Sequence, residues 1–103
     1  MKRETNKQKT QAGVRIIGGS FKRSKLEVLE RDGLRPTPAR VRETLFNWLM
    51  PTISGAEIVD CFAGTGVLGL EALSRGASRC TFVEKDPAVS RQIEENLRRF
   101  QRL

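Results

Sequence analysis

Apolar positions in this chain follow two rhythms, and each predicts a different element. Val41, Leu45, Trp48 and Leu49 fall at i, i+4, i+7 and i+8, one face of a helix. Thr37 suits that helix's N-cap, Pro38 its first position, and Pro51 its end. Val89, Ile93, Leu97 and Phe100 form the stripe of another helix, opened by Asp86-Pro87. Between them lie two short apolar runs, 57–62 and 79–84, which predict strands. They flank a helical stretch over 67–75 that stops at Gly76, a natural residue just past a helix end.

The first third of the chain is patterned differently. Val14-Arg15-Ile16-Ile17 and Lys25-Leu26-Glu27-Val28 alternate on either side of Gly18-Gly19-Ser20, which predicts a small β-hairpin. Phe21 beside its turn either packs under the hairpin or stacks on a base. Residues 14–37 form the hairpin and a following loop. Residues 1–13 lack apolar periodicity and predict a disordered basic tail. Residues 38–103 then alternate helix and strand, which predicts an α/β fold.

Charge sharpens this picture. Residues 1–50 carry 12 Lys/Arg and 5 Asp/Glu, whereas residues 51–103 carry 7 of each, so the net charge of +7 lies wholly in the first half. Such a segment suits a polyanion, most simply nucleic acid, or else is a solvated basic face. Lys22, Arg23 and Lys25 at the hairpin turn, with Arg40 and Arg42 on the first helix, are the candidate RNA contacts. Cations in a helix's first turns oppose its dipole, which favours a ligand role for that pair. The chain has no His, the commonest metal ligand and general base. No metal site is expected. Cys61 and Cys80 are expected as buried, reduced thiols. No apolar run approaches a membrane span, and a cytoplasmic location without membrane association is expected.

The candidate chemistry lies at Asp60-Cys61-Phe62-Ala63-Gly64-Thr65-Gly66-Val67-Leu68-Gly69. Strand, glycine loop, helix, strand and terminal acid Glu84 are the layout of a nucleoside-cofactor site. The glycines alone do not choose among cofactors. A dinucleotide places its pyrophosphate at the helix N-terminus, and the Asp60 carboxylate would repel it. S-adenosylmethionine carries an ammonium and a sulfonium instead, which suit a carboxylate. Asp60 can also simply cap the loop. Glu84 lies 18 residues after Gly66, near the offset of ribose-binding acids.

Three stretches then carry a resemblance over about residues 14–100. They are Arg15-Ile16-Ile17-Gly18-Gly19, Leu34-Arg35-Pro36-Thr37 with 40–49, and 60–76. The chain resembles the bacterial 16S ribosomal RNA guanine-N2 methyltransferases. The Arg-Pro-Thr helix start is the more specific motif, because many methyltransferases share the glycine loop. The resemblance implies a partial Rossmann-like, S-adenosylmethionine-dependent methyltransferase fold preceded by a small N-terminal β-hairpin. It implies methyl transfer to a guanine exocyclic N2 in 16S rRNA or a small-subunit ribosomal particle. On it, Asp60, Phe62, Gly64 and Gly66 fall on the cofactor loop, Glu84 on the ribose acid, and Arg35 and Thr37 beside the cofactor or target-base pocket.

Three departures accompany the resemblance. Ala39 replaces a common acid, and Arg23-Ser24 stands where Gly-Arg is usual. The family's catalytic Asn/Asp-Pro-Pro-Tyr/Phe motif does not occur in these 103 residues. The chain is therefore read as an N-terminal portion without catalytic residues of its own, inactive alone. Two rival readings remain at this point: part of a dinucleotide-binding oxidoreductase, and a non-enzymatic RNA-binding module.

Overall fold

The computed structural model describes residues 10–11, 14–29, 34–35, 37–61 and 63–101. Its elements are β1 (Thr10–Gln11), β2 (Val28–Leu29), α1 (Ala39–Ile53), β3 (Glu57–Cys61), α2 (Val67–Ser74), β4 (Arg79–Val83) and α3 (Pro87–Gln101). The alternation expected from residue 38 onward is present.

β3 and β4 pair in parallel, Glu57 opposite Arg79 and Cys61 opposite Val83. α2 connects them and packs on one face of the pair. There a Cβ on Gly69 would lie 2.3 Å from Phe82 and 2.6 Å from the Cys80 sulfur, so only glycine lets the helix approach this closely. Strand alternation turns Val59, Cys61, Arg79 and Val83 to the opposite face, where they are exposed. Cys61 is thus an exposed thiol, which corrects the expectation of burial.

The hairpin forms as expected, with its arms joined at an Arg15–Lys25 antiparallel bridge. Its turn is tight: Arg23 N–H donates to Ile16 C=O at 2.9 Å, and Arg23 takes φ 73°. That left-handed conformation favours glycine. β1 pairs antiparallel with β2, so Thr10–Gln11 corrects part of the tail expected to be disordered. The rest of that tail lies outside the described residues.

The hairpin packs on the α/β unit. Val14, Ile16, Leu26 and Val28 share a buried cluster with Val67, Leu70 and Phe100. Phe21 stacks against Phe100 at 4.9 Å between ring centres, which settles its role as packing. Polar contacts hold the same seam. Glu71 of α2 is fully buried and accepts from Ile17 N–H at 3.0 Å and Gly18 N–H at 2.9 Å. Ser74 Oγ accepts from Phe21 N–H at 2.9 Å and donates to Gly18 C=O at 2.6 Å. Ser20 N–H caps the last carbonyl of α2, that of Ser74, at 2.8 Å. A Cβ on Gly19 would lie 1.9 Å from that same oxygen, so the turn seats flush on the helix end.

α1 departs from expectation in three ways. Its N-cap is Pro38 rather than Thr37, with no side-chain cap. Pro51 lies inside the last turn and the helix runs on to Ile53. A proline there leaves one carbonyl without its helix donor, on an exposed stretch. The buried face is Arg42, Phe46 and Ile53, with Leu45 and Leu49 of the expected stripe packed partly against it, while Val41 and Trp48 are exposed, Trp48 by 76%. The helix is rotated by about one residue from the apolar stripe because Arg42 has a carboxylate to meet in the core.

Candidate functional site

The glycine loop leaves the end of β3 and enters α2. Ala63 N–H donates to Val83 C=O at 2.7 Å, fastening the loop to β4. Gly66 N–H closes a turn onto Ala63 C=O at 2.8 Å. Gly64 takes φ 56° and Gly66 φ 78°, both left-handed, which is why glycine is needed at each. Gly66 is also confined from behind, since a Cβ would lie 2.9 Å from Ile93 Cγ1 on α3. Thr65 is buried and its hydroxyl accepts from Val67 N–H at 3.3 Å.

Asp60 reaches the start of α2, where its Oδ2 accepts from Gly69 N–H at 3.1 Å, so the capping role offered as its alternative is present. The carboxylate therefore occupies the end of the helix that attracts anions. Burial pushes its carboxyl above the ordinary 3.8, and the Gly69 N–H partly opposes the shift. The adjacent Cys80 thiol is pushed up to about 11, by burial and then by the Asp60 charge. It is thus a protonated packing group at neutral pH.

Glu84, just past β4, meets the loop. Its Oε1 accepts from Gly64 N–H at 2.8 Å, and its Oε2 from Asp86 N–H at 3.0 Å. Two of its four acceptor positions are then used, and two remain for hydroxyl donors. Asp86 Oδ1 accepts from Ala88 N–H at 3.0 Å and caps α3 as expected. Asp60 and Glu84 thus lie at the carboxyl ends of two parallel strands, and each holds a backbone N–H of the loop-helix segment between them, Gly69 for Asp60 and Gly64 for Glu84. Phe62 lies outside the described residues. Arg35 is exposed and Thr37 half-buried, and among the described residues no hydrogen bond or ion pair joins either to the loop.

The basic candidates divide. Lys22, Arg23, Lys25 and Arg40 are exposed. Arg42 is not an RNA contact and corrects the expectation: it is 4% exposed. Its Nη1 donates to Arg15 C=O at 3.0 Å and pairs with Glu71 at 3.4 Å. Burial lowers its pKa, against the opposing pull of Glu71. Glu71 also takes Arg75 Nε at 2.8 Å. The pattern overlooked this centre, although a lone glutamate amid the apolar positions of α2 was its signal. Among the described residues no group of His, Cys, Asp and Glu could hold a metal, and no helix is long and apolar enough to cross a membrane.

Strand, left-handed glycine loop, helix, parallel strand and acid, with the hairpin ahead of them, define part of a Rossmann-like α/β methyltransferase fold. The family resemblance read from the sequence stands. The chain belongs to the family described as conserved hypothetical protein 95, whose model matches residues 14–102. It is 60% identical over 84 residues to ribosomal RNA small subunit methyltransferase D of Escherichia coli K12, covering 82% of this chain and 42% of that protein. The Haemophilus influenzae protein of the same name is 57% identical over 84 residues, covering 82% and 44%. A solved Escherichia coli protein described as a methyltransferase superposes with a TM-score of 0.78 at 52% identity, covering 85% of this chain and 47% of that one. A solved protein of Thermus thermophilus gives 0.73 at 40% identity, covering 86% and 51%. The chain spans less than half the length of the curated relatives described.

Proposed function

We propose that this chain supplies the methyl-donor site and an RNA-facing hairpin of an S-adenosylmethionine-dependent enzyme. Its substrate is the exocyclic N2 of a guanine in small-subunit ribosomal RNA, as free RNA or within a ribosomal particle. The observation that carries the reading is the Asp60 carboxylate on Gly69 N–H at the first turn of α2. A pyrophosphate at that helix end would meet a fixed negative charge, whereas a sulfonium and an ammonium gain from it. This disfavours the oxidoreductase alternative. The names of the relatives support the choice of ribosomal RNA.

Asp60, Phe62, Gly64, Gly66 and Glu84 would hold the cofactor, with the two free acceptor positions of Glu84 available to ribose hydroxyls. Arg35 and Thr37 would border the cofactor or base pocket. S-adenosylmethionine supplies an electrophilic methyl group. A guanine amine is a poor nucleophile because its lone pair is delocalised into the ring. Transfer therefore depends on groups that accept from the amine and align it, a matter of positioning. No Asn/Asp-Pro-Pro-aromatic motif occurs in these 103 residues. The chain is accordingly assigned binding rather than turnover.

Calorimetric competition tests the cofactor. S-adenosylhomocysteine should bind and NAD should not, and Glu84→Gln should weaken the former clearly. NAD binding in its place would overturn the reading. Turnover is tested by radiolabelled methyl incorporation into undermethylated small-subunit RNA. A protein completed to the length of the relatives should be active and this chain inactive. RNA binding with no affinity for S-adenosylhomocysteine would leave a non-enzymatic RNA-binding module.

A further inference from the structure

We propose that Arg15 and Arg99 join Lys22, Arg23 and Lys25 in one phosphate-binding surface that spans the hairpin and the end of α3. Its ligand is the sugar-phosphate backbone of RNA, a choice that rests on the function proposed above. The surface itself follows from how the fold gathers cations that are far apart in sequence. Arg15 bridges Lys25 across the hairpin, and its Nη1 donates to Arg23 C=O at 3.0 Å. Arg99, 74 residues from Lys25 in sequence, donates from Nη2 to Lys25 C=O. The last turn of α3 therefore lies directly on the basic arm. Ser24, Lys25, Arg99 and Phe100 line an open groove of about 280 Å³ there.

These guanidinium groups are held by backbone carbonyls, which orient them without cancelling their charge. Among the described residues, the carboxylate paired with this cluster is Glu27, 3.8 Å from Arg99, with both side chains more than two-fifths exposed. A pair that open and long contributes little. Like charges gathered this way repel one another, and a polyanion relieves that repulsion. The surface is also pre-formed. Glu71 and Ser74 clamp residues 17–21 to α2, and Phe21 stacks on Phe100 beside Arg99. Binding RNA there requires little ordering of the protein.

The test is fluorescence anisotropy of the chain with a labelled polyuridylate oligomer over a sodium chloride series. The Arg15→Gln/Arg99→Gln double variant should flatten the slope of log affinity against log salt by about 1.4, at ~0.7 per phosphate contact on a single strand. Arg15→Lys/Arg99→Lys should restore the slope, which a purely structural role for the guanidinium groups would not allow. Arg79→Gln removes an exposed cation from the far sheet face and should leave the slope unchanged. An unaltered slope in the double Gln variant, or an equal loss in Arg79→Gln, would overturn the proposal. So would tighter binding to phosphatidylserine vesicles than to RNA. Failure of S-adenosylhomocysteine to bind the wild-type chain counts against the cofactor reading alone and leaves this surface standing.

Discussion

Removing the Glu71 carboxylate should be among the most damaging single changes in the chain. Its side chain is 0% exposed and accepts from four donors in three segments, Ile17 N–H and Gly18 N–H of the hairpin, Arg42 of α1 and Arg75 just past α2. In Glu71→Ala, Arg42 stays 4% exposed with its countercharge gone. Leaving one partner of a buried pair uncompensated costs about 3–5 kcal/mol. The two backbone N–H groups add up to roughly 1–3 kcal/mol each where water cannot reach them. Even the lower figure is a large part of the ~5–15 kcal/mol that holds a typical domain together. Arg42→Met should cost much less, because Glu71 keeps Arg75 and both N–H donors while the methionine fills the space. Urea unfolding followed by circular dichroism at pH 7 measures both, with exposed Glu43→Ala as a control expected within about 0.5 kcal/mol. A Glu71→Ala loss below about 1 kcal/mol, or one smaller than that of Arg42→Met, would refute this account of the seam.

Asp60→Asn should weaken S-adenosylhomocysteine binding by calorimetry through the lost attraction to its ammonium, while holding or raising stability at pH 7, since the amide oxygen can still accept from Gly69 N–H. Because burial raises the Asp60 pKa, the folded chain keeps a proton that the unfolded chain releases from pH 3.8 upward. This group's contribution to stability is therefore greatest below that pH and falls as pH rises through the folded value, and the variant should lack that trend. Arg23→Gly removes a left-handed strain of about 1–2 kcal/mol, offset by ~0.5–1 kcal/mol of glycine entropy. Calorimetric melting should therefore rise by up to a few degrees while RNA affinity falls at low salt. Gly66→Ala should lower stability by about 1–3 kcal/mol as well as cofactor affinity, because φ 78° strains the residue and its Cβ meets Ile93. Unchanged chemical denaturation would show that α3 does not confine the loop.

Local grammar makes much of this chain legible from its residues alone. Asp86-Pro87 opens α3, Gly76 follows the end of α2, and the strands flanking the glycine loop lie where their apolar runs place them. Each depends on neighbours in sequence: a cap, a φ above zero, a period of two or of 3.6. The placement of the two candidate acids is legible for the same reason, since Asp60 and Glu84 lie at the ends of consecutive strands, next to the loop between them. The rotation of α1 is not legible. Val41 and Trp48, both exposed, satisfy the helical period as well as Phe46 and Ile53 do. The choice falls to Arg42 meeting Glu71, 29 residues away. The same limit hides Arg99 beside Lys25 and the role of Ser74 under the hairpin. Periodicity says that an element has a buried face, whereas which face is buried depends on what another element brings to it. A charged side chain that finds its partner in the core can turn a helix against its own apolar stripe. That partner is defined only once the chain has folded around it.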